Sequence, residues 1–428
     1  MPAPKVAFHT LGCKLNFTDS GTISRQFESA GYKKVSFDET ADVYVINTCS
    51  VTGNADRECR SVINKALRKN PDAFIAVTGC FAQLKAGLIA GFKGVDLVAG
   101  ANDKFKIIEH IHQQKNLKPL VMACDIEQVN EFVPGISDET RTRAFLKVQD
   151  GCDYQCSFCT IPLARGKSRS NTIENVLNDA RQLIRNGAKE IVLTGVNLGD
   201  FHYFKNGQRY SFFDLIKHLD RIDGHVRFRI SSIEPNLLSD EIIEFVAASG
   251  KFVPHFHIPL QSGSDQILKQ MRRRYLSELY ASRIRKIKLL MPFACIGADV
   301  ITGFPGESEE DFQTTYDFIQ SHGISYLHVF TYSERDNTHA ITLARSVPYI
   351  IRKERTLKLR NLSEKLHARF LDLNEGRTLK VLFEHSENNG LMSGYSENYI
   401  RISRPYDISK VNQVVELIYS SSSELITA

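Results

Sequence analysis

Short apolar runs rich in β-branched residues alternate with helical patterns along most of the chain. The first three runs are "KVAFHTLGC", "DVYVINTC" and "AFIAVTGC". Their near-continuous apolar character predicts strands buried on both faces, as in a parallel sheet. Helical patterns follow the first two, at 16–30 and 54–69. Residues 1–112 therefore read as a doubly wound α/β domain, and the more polar 113–143 as a linker. Six further strands are expected at 145–148, 190–194, 226–231, 255–260, 294–301 and 326–330, with helices between them such as 172–186 and 309–321. Six βα units are too few for a closed eight-stranded barrel and predict a partial (β/α)6 barrel over 144–375. From Arg377 the pattern shortens to "TLKVLFE", "YIRIS" and "QVVELIY", with turns at Gly390 and Gly394, which predicts a small β-barrel over 376–428. The fold class expected is α/β and multidomain.

Composition narrows this picture only slightly. The chain has 428 residues, of which 42% are hydrophobic and 24% charged. That is the balance of an ordinary water-exposed multidomain protein. No apolar run approaches the ~20 residues that span a bilayer. The start "MPAPKVAFHT" carries no basic stretch followed by an apolar core, so no signal peptide is expected and the cytoplasm is the expected location. A net charge of +5 permits a nucleic-acid partner without requiring one.

The cysteines change the picture. In a reducing compartment the nine are not expected to form a disulfide framework. Cys59, Cys124 and Cys295 read as buried structural thiols. Cys13, Cys49 and Cys80 each stand just beyond an expected strand. Carboxyl ends of parallel strands share one edge, and neighbours lie ~4.8 Å apart, so three thiols distant in sequence would meet there. A second set, Cys152, Cys156 and Cys159, sits in "DGCDYQCSFCT" after another strand. Thiolates select zinc, copper(I) or iron–sulfur clusters. Structural zinc normally takes four protein ligands, yet neither set has a fourth Cys and the nearest His after the second is His202. A 4Fe-4S cluster held by three cysteines keeps one iron open, a place for chemistry.

The C-x3-C-x2-C spacing, with Phe158 before the last Cys, resembles the signature of radical S-adenosylmethionine (SAM) enzymes. Three upstream cysteines and a terminal β-barrel resemble the methylthiotransferase branch, and the likeness covers nearly the whole chain. It implies two 4Fe-4S clusters: an auxiliary one on Cys13, Cys49 and Cys80, and a radical SAM one on Cys152, Cys156 and Cys159. It further implies SAM on the open iron of the second, giving methionine and a 5′-deoxyadenosyl radical on one-electron reduction. That radical abstracts hydrogen from an unactivated C–H bond; a second SAM gives the methyl group. The SAM contacts implied are Phe158, Gly195 in "LTGVNLGD", Ser232 and Glu234 in "SSIEP", Gln261 in "HIPLQSGSD", the "GFPGE" turn and Arg283, the arginine expected to pair with the SAM carboxylate.

The string "INTCSVTGNADRECR" resembles the subfamily that methylthiolates N6-threonylcarbamoyladenosine in tRNA. So does "IPLARGKSRS", whose Arg165, Lys167 and Arg169 suit phosphate or the threonyl carboxylate. The terminal barrel resembles a TRAM RNA-binding domain. From Arg377 onward it holds five Lys and Arg against six Asp and Glu, whereas 352–369 holds seven basic residues against two acidic. The phosphate contacts are therefore expected on that helix, at Arg352, Lys353 and Lys358. Tyr395 and Tyr399 could stack on unpaired bases or pack in a core. The resemblance implies a tRNA substrate, a flavodoxin- or ferredoxin-type electron donor, a sulfur donor that it leaves open, no membrane and a monomer. The alternatives are isopentenyladenosine in tRNA or a ribosomal-protein aspartate as substrate, and, from another class, a non-catalytic iron–sulfur RNA-binding sensor.

Overall fold

A computed structural model describes residues 2–49, 55–111, 118–137 and 142–421. The expected motif around Cys49 lies partly outside them, at 50–54. The chain forms two compact units. The first comprises Met1–Glu139, Phe145–Tyr154 and Thr160–Asn171, and the second Thr140–Ala144, Gln155–Cys159 and Thr172–Ala428.

The first unit begins with β1 (Lys5–Thr10), α1 (Lys14–Ser29), β2 (Lys33–Val35), β3 (Val43–Thr48), α2 (Ala55–Lys69) and β4 (Phe74–Gly79). There follow α3 (Cys80–Leu84), α4 (Ala86–Ala90), β5 (Leu97–Ala99), α5 (Ile107–Ile111) and β6 (Leu120–Met122). These strands form one sheet in the order β2-β1-β3-β4-β5-β6, parallel in every pairing. Its two faces bury different residues. Tyr44, Ile46, Ile75 and Val77 pack in a core with Cys59, Ile63 and Phe81, while Val43, Val45 and Ala76 pack with Ile23, Phe27 and Ile107. Coverage on both faces explains the unbroken apolar runs. The short pieces β7 (Gly135–Ser137), β8 (Arg143–Lys147), β9 (Gln149–Asp150), α6 (Ile161–Arg165) and β10 (Arg169–Ser170) follow.

The second unit continues with α7 (Ile173–Arg185), β11 (Glu190–Thr194), the hairpin β12 (His202–Lys205) and β13 (Gln208–Ser211), α8 (Phe212–Asp220), β14 (Arg227–Ile230) and α9 (Asp240–Ala248). Next are β15 (His255–His257), α10 (Asp265–Gln270), α11 (Ser277–Leu290), β16 (Cys295–Thr302), α12 (Glu309–Ser321), β17 (Tyr326–Thr331) and α13 (Tyr349–Leu373). β11 pairs parallel with β14, and β15, β16 and β17 form a parallel sheet. Bridges at Phe228↔Phe252 and Ser232↔His257 connect the two. Side-chain caps fix where five helices start: Thr172, Ser211, Ser239, Ser264 and Ser308 each accept a first-turn N–H.

Four antiparallel strands complete the described residues: β18 (Thr378–Asn388), β19 (Leu391–Tyr395), β20 (Arg401–Pro405) and β21 (Val414–Ile418), in the order β20-β19-β18-β21. They enclose Leu379, Val381, Phe383, Met392, Ile402 and Tyr419 together with Phe370 of α13. Buried Glu190 anchors this sheet from β11. Its carboxylate takes Arg227 and Arg229, which donate onward to the carbonyls of Lys380, Tyr395, Ser396 and Glu397. Cys59 and Cys295 are fully buried, while Cys124 is half-buried. Burial pushes the Cys295 thiol up to about 12, which makes it an inert group.

Candidate functional site

In the first unit, β1, β3 and β4 are adjacent, and their registers align Thr10 with Asn47 and Thr48 with Gly79. Cys13, Cys49 and Cys80 thus leave the sheet at one edge. The strand order reverses direction between β1 and β3, the topological switch at which open α/β sheets bind ligands. Gly12 has φ +97°, and a Cβ there would come within 2.6 Å of the Cys49 Sγ. Only glycine therefore lets the loop bearing Cys13 lie against Cys49. Asn16 Nδ2 donates to the carbonyls of Leu11 and Thr48 at 2.8 and 3.0 Å, tying both cysteine loops together. Cys13 is the exposed member and stands at the N-cap position of α1.

Beneath these thiols lies a buried ionic network. Arg165 Nη1 donates to Asp150 at 2.8 Å, and Nη2 to Asn16 at 2.7 Å and Asp19 at 3.3 Å. Lys104 and Lys147 each reach Asp19 at 2.7 Å. Burial would raise Asp19, but Lys104, Lys147 and Arg165 outweigh it and hold the carboxyl at about 2. Three cations face two carboxylates, an excess of positive charge beneath the three thiols. Burial pushes the Cys80 thiol up, and neighbouring Arg165 pulls it down.

In the second unit the loop carrying Cys156 and Cys159 is fastened at its middle. Ser157 N–H donates to Met271 O at 3.1 Å, its hydroxyl to Gln270 O at 2.8 Å, and Ala340 N–H to Ser157 O at 2.7 Å. Phe158 packs against the cluster of Ile267, Met271, Phe304, Tyr332 and Ala340. Arg273 Nη1 donates to Cys156 Sγ at 3.0 Å, and its other arm pairs with Glu234. Burial raises the Cys156 thiol and Arg273 opposes it; burial likewise pushes the Glu234 carboxyl up.

The loops after β11 and β14 are tied at Leu198 N to Ser232 O, 3.2 Å, which keeps half-buried Gly195 and Ser232 near one strand edge. Gln261 has φ 65° while its backbone bridges to Val300 of β16. Backbone hydrogen bonds to Asp299 and Ile301 hold that strained conformation in place. In the "GFPGE" turn, Gly303 N–H donates to Glu307, which Arg355 of α13 clamps at 2.7 Å.

Several expected contacts are otherwise engaged. Arg283 pairs with Asp240 of α9, and the guanidinium at Cys156 belongs to Arg273. Arg273 lies in the basic run "MRRRY", and only the fold reveals which way it faces. Arg165 is buried in the network above, and half-buried Arg169 donates to the carbonyls of Arg165 and Lys167. Lys167 is exposed. On α13, Arg352 is buried on Tyr332 O, Val347 O and Glu334, whereas Lys353 and Lys358 are exposed. Tyr399 stacks on His255 at 4.3 Å and on Tyr395 at 4.9 Å, so both tyrosines already have aromatic partners within the protein.

A parallel α/β unit with a three-cysteine strand edge, together with parallel strands whose cysteine loop has C-x3-C-x2-C spacing, defines a radical SAM class of protein. Comparison with known proteins agrees. Residues 5–100 match the Uncharacterized protein family UPF0004 and residues 146–319 the Radical SAM superfamily. The chain is 43% identical over 407 residues, 93% of its length and 89% of the relative's, to the threonylcarbamoyladenosine tRNA methylthiotransferase MtaB of Bacillus subtilis (strain 168). It is 34% identical to the tRNA-2-methylthio-N(6)-dimethylallyladenosine synthase of Fusobacterium nucleatum, covering 91% of each chain. Among solved structures, the radical SAM methyltransferase TsrM from Kitasatospora setae shares the fold, with a TM-score of 0.56 and 13% identity over 91% of this chain and 80% of that one. The chain belongs to the methylthiotransferase family of the radical SAM superfamily.

Proposed function

We propose that this protein replaces the C2 hydrogen of N6-threonylcarbamoyladenosine at position 37 of tRNA with a methylthio group, in the cytoplasm and as a monomer. The observation that carries the reading is the upstream cysteine set, Cys13, Cys49 and Cys80, gathered at the switch point of its own sheet. The choice of nucleoside rests on the higher identity to the threonylcarbamoyladenosine-named relative than to the dimethylallyladenosine-named one.

The residues fit two three-thiol clusters. Each set offers soft donors without a fourth thiol in its sequence neighbourhood, and each has a buried guanidinium to offset the anionic charge. A 4Fe-4S cluster bound by Cys152, Cys156 and Cys159, with SAM on its open iron, supplies the one-electron chemistry that an unacidic C–H bond needs. Cys13, Cys49 and Cys80 would hold the auxiliary cluster, whose open iron suits delivery of sulfur. Arg273 lowers the charge at Cys156 and orients Glu234, which with Ser232, Gly195 and Gln261 would hold SAM. Phe158 and its apolar neighbours keep water from the reacting centre. An external flavodoxin- or ferredoxin-type protein would supply electrons.

Domains 1–112, 144–375 and 376–428 divide the work into sulfur delivery, radical chemistry and RNA binding, with 113–143 as the linker. On this reading Lys167, Lys353 and Lys358 are the exposed phosphate contacts. The terminal sheet acts as a TRAM-like module. It bears a 490 Å³ hollow lined in part by Phe383, Arg404, Tyr406 and Lys410. That mix of rings and cations suits RNA. The test is turnover by anaerobically reconstituted enzyme on tRNA bearing each nucleoside and on the ribosomal aspartate. Product with threonylcarbamoyl-tRNA is expected; product on another substrate and none on this one overturns the assignment.

A further inference from the structure

One face of the β15–β16–β17 sheet carries a polar trio that none of the cofactor contacts uses. On β16, Ile296, Ala298 and Val300 are fully buried on one face. The opposite face presents Asp299 and Ile301, which align in register with His328 and Phe330 of β17. His257 Nε2 approaches Asp299 Oδ1 at 3.0 Å, and His328 Nδ1 approaches the same oxygen at 3.3 Å. His328 is 55% exposed at its side chain and Phe330 is 41% exposed. Phe330 is therefore an exposed aromatic ring on the same face as the trio, with its flat side open to a planar partner. Beside it stand imidazole nitrogens and a carboxylate. Burial would raise that carboxylate, but His257 and His328 outweigh the effect and hold it well below its usual range.

This face leads to the chemistry. Ile301, two residues along β16 from Asp299, packs against the same apolar cluster as Phe158 of the cysteine loop. Two residues of strand are about 6.6 Å, roughly the span of a purine. Ser232 bridges to His257 and Ile233 N–H donates to His257 O at 3.1 Å, so the trio also stands beside the strand end that carries Glu234, the partner of Arg273 at Cys156.

We propose that Phe330 and the His257–Asp299–His328 trio form the seat of the target nucleoside. Phe330 takes the purine face, and the trio hydrogen-bonds the polar, carboxylate-bearing chain on N6. This rests on the nucleoside assignment above. A metal ion would fit the trio's spacing but would leave Phe330 unexplained. An apolar N6 substituent would cover the trio with a group that cannot hydrogen-bond it, which a site built for hydrogen bonding resists.

The test is equilibrium binding by the reconstituted, SAM-loaded protein without reductant. The probes are two synthetic anticodon stem–loops, alike except for threonylcarbamoyladenosine or plain adenosine at the target position. Wild type is expected to prefer the modified loop by on the order of tenfold. His328→Leu and the isosteric Asp299→Asn should each bring that ratio close to one while plain-loop affinity holds. An unchanged ratio in Asp299→Asn overturns the proposal, even if His328→Leu fails to fold. Stoichiometric zinc or cobalt retained by wild type and lost in His257→Ala overturns it too, reassigning the trio as a metal centre. A wild-type ratio near one with turnover of threonylcarbamoyl-tRNA sinks the seat alone; no such turnover sinks the function assignment.

Discussion

Cys80 and Cys156 each face a guanidinium, yet the two arginines live in different settings. Arg165 is locked among Asp19, Asp150, Asn16, Lys104 and Lys147, all buried. Arg273 has one carboxylate, Glu234, and a tyrosine hydroxyl at 3.3 Å. The first setting is a fixed counter-charge: removing any member strands others in a low dielectric. The second can change partners, because burial already raises Glu234 toward neutrality and a proton can replace the arginine. A permanent floor suits the auxiliary cluster proposed for Cys13, Cys49 and Cys80. An adaptable pair suits the SAM site proposed beside Cys156.

The widest separation should come from the ligands themselves. Cys156→Ala is expected to abolish both 5′-deoxyadenosine formation and methylthio product. Cys49→Ala should eliminate the product while some 5′-deoxyadenosine still forms, both read by chromatography of one reaction. Identical behaviour would erase the division between the two sets. Next comes stability. Arg165→Met leaves Asp150 and Asp19 short of a partner and should cost about 3–5 kcal/mol in urea unfolding. Arg273→Met should cost only ~1–2 kcal/mol, because Glu234 can protonate, while SAM affinity falls more steeply. Equal losses of stability would mean the two settings are equally rigid.

What the sequence revealed follows the same line. The strands beneath both cysteine sets were legible because buried runs and the position of a Cys just past them are local features; β11 and α12 match the expected bounds. The short strands β5, β6 and β7 carry three residues each, too few for a period to show. Arginines were the least legible residues. Arg165 reads as suited to phosphate or the threonyl carboxylate and Arg352 as a phosphate contact, and only the fold brings acids and carbonyls to them from 15 or more positions away. Arg283 and Arg273 lie ten positions apart in equally basic strings, and nothing local says which of the two reaches the cysteine loop. For Tyr395 and Tyr399 the sequence leaves base stacking and core packing equally open, and the fold sets Arg143, Arg229 and His255 against their rings.

Glu190 extends the comparison to a third buried carboxylate. Burial would raise it, but Arg229 and Arg227 hold it at about 2, against 4.5 for the free group. A depressed folded value contributes stability fully above the unfolded pKa, and that contribution fades as pH falls from about 4.5 through about 2. The swing is roughly 3 kcal/mol. Unfolding followed by near-ultraviolet circular dichroism from pH 6 to 2 should show this slope, and Glu190→Gln should flatten it while lowering stability at neutral pH. A slope that survives in Glu190→Gln assigns acid sensitivity to the Asp19 network instead.

The smallest effect separates charges that serve RNA from charges that serve the fold, on the one helix α13. Lys353 lies over the Tyr349 ring and Lys358 stands 3.7 Å from Glu309, both exposed and only loosely paired. Such pairs contribute little to stability, so replacement should barely move the melting temperature. Each phosphate contact contributes about 0.7–0.9 to the slope of log K against log salt. The double variant Lys353→Ala/Lys358→Ala should therefore bind tRNA a few-fold more weakly and reduce that slope by about 1.5. Arg352→Ala should do the reverse, lowering the melting temperature through its lost carbonyl contacts and leaving the salt slope unchanged. If Arg352→Ala alone reduced the slope, its buried position would have to open on RNA binding, and α13 would be part of the RNA interface along both its faces.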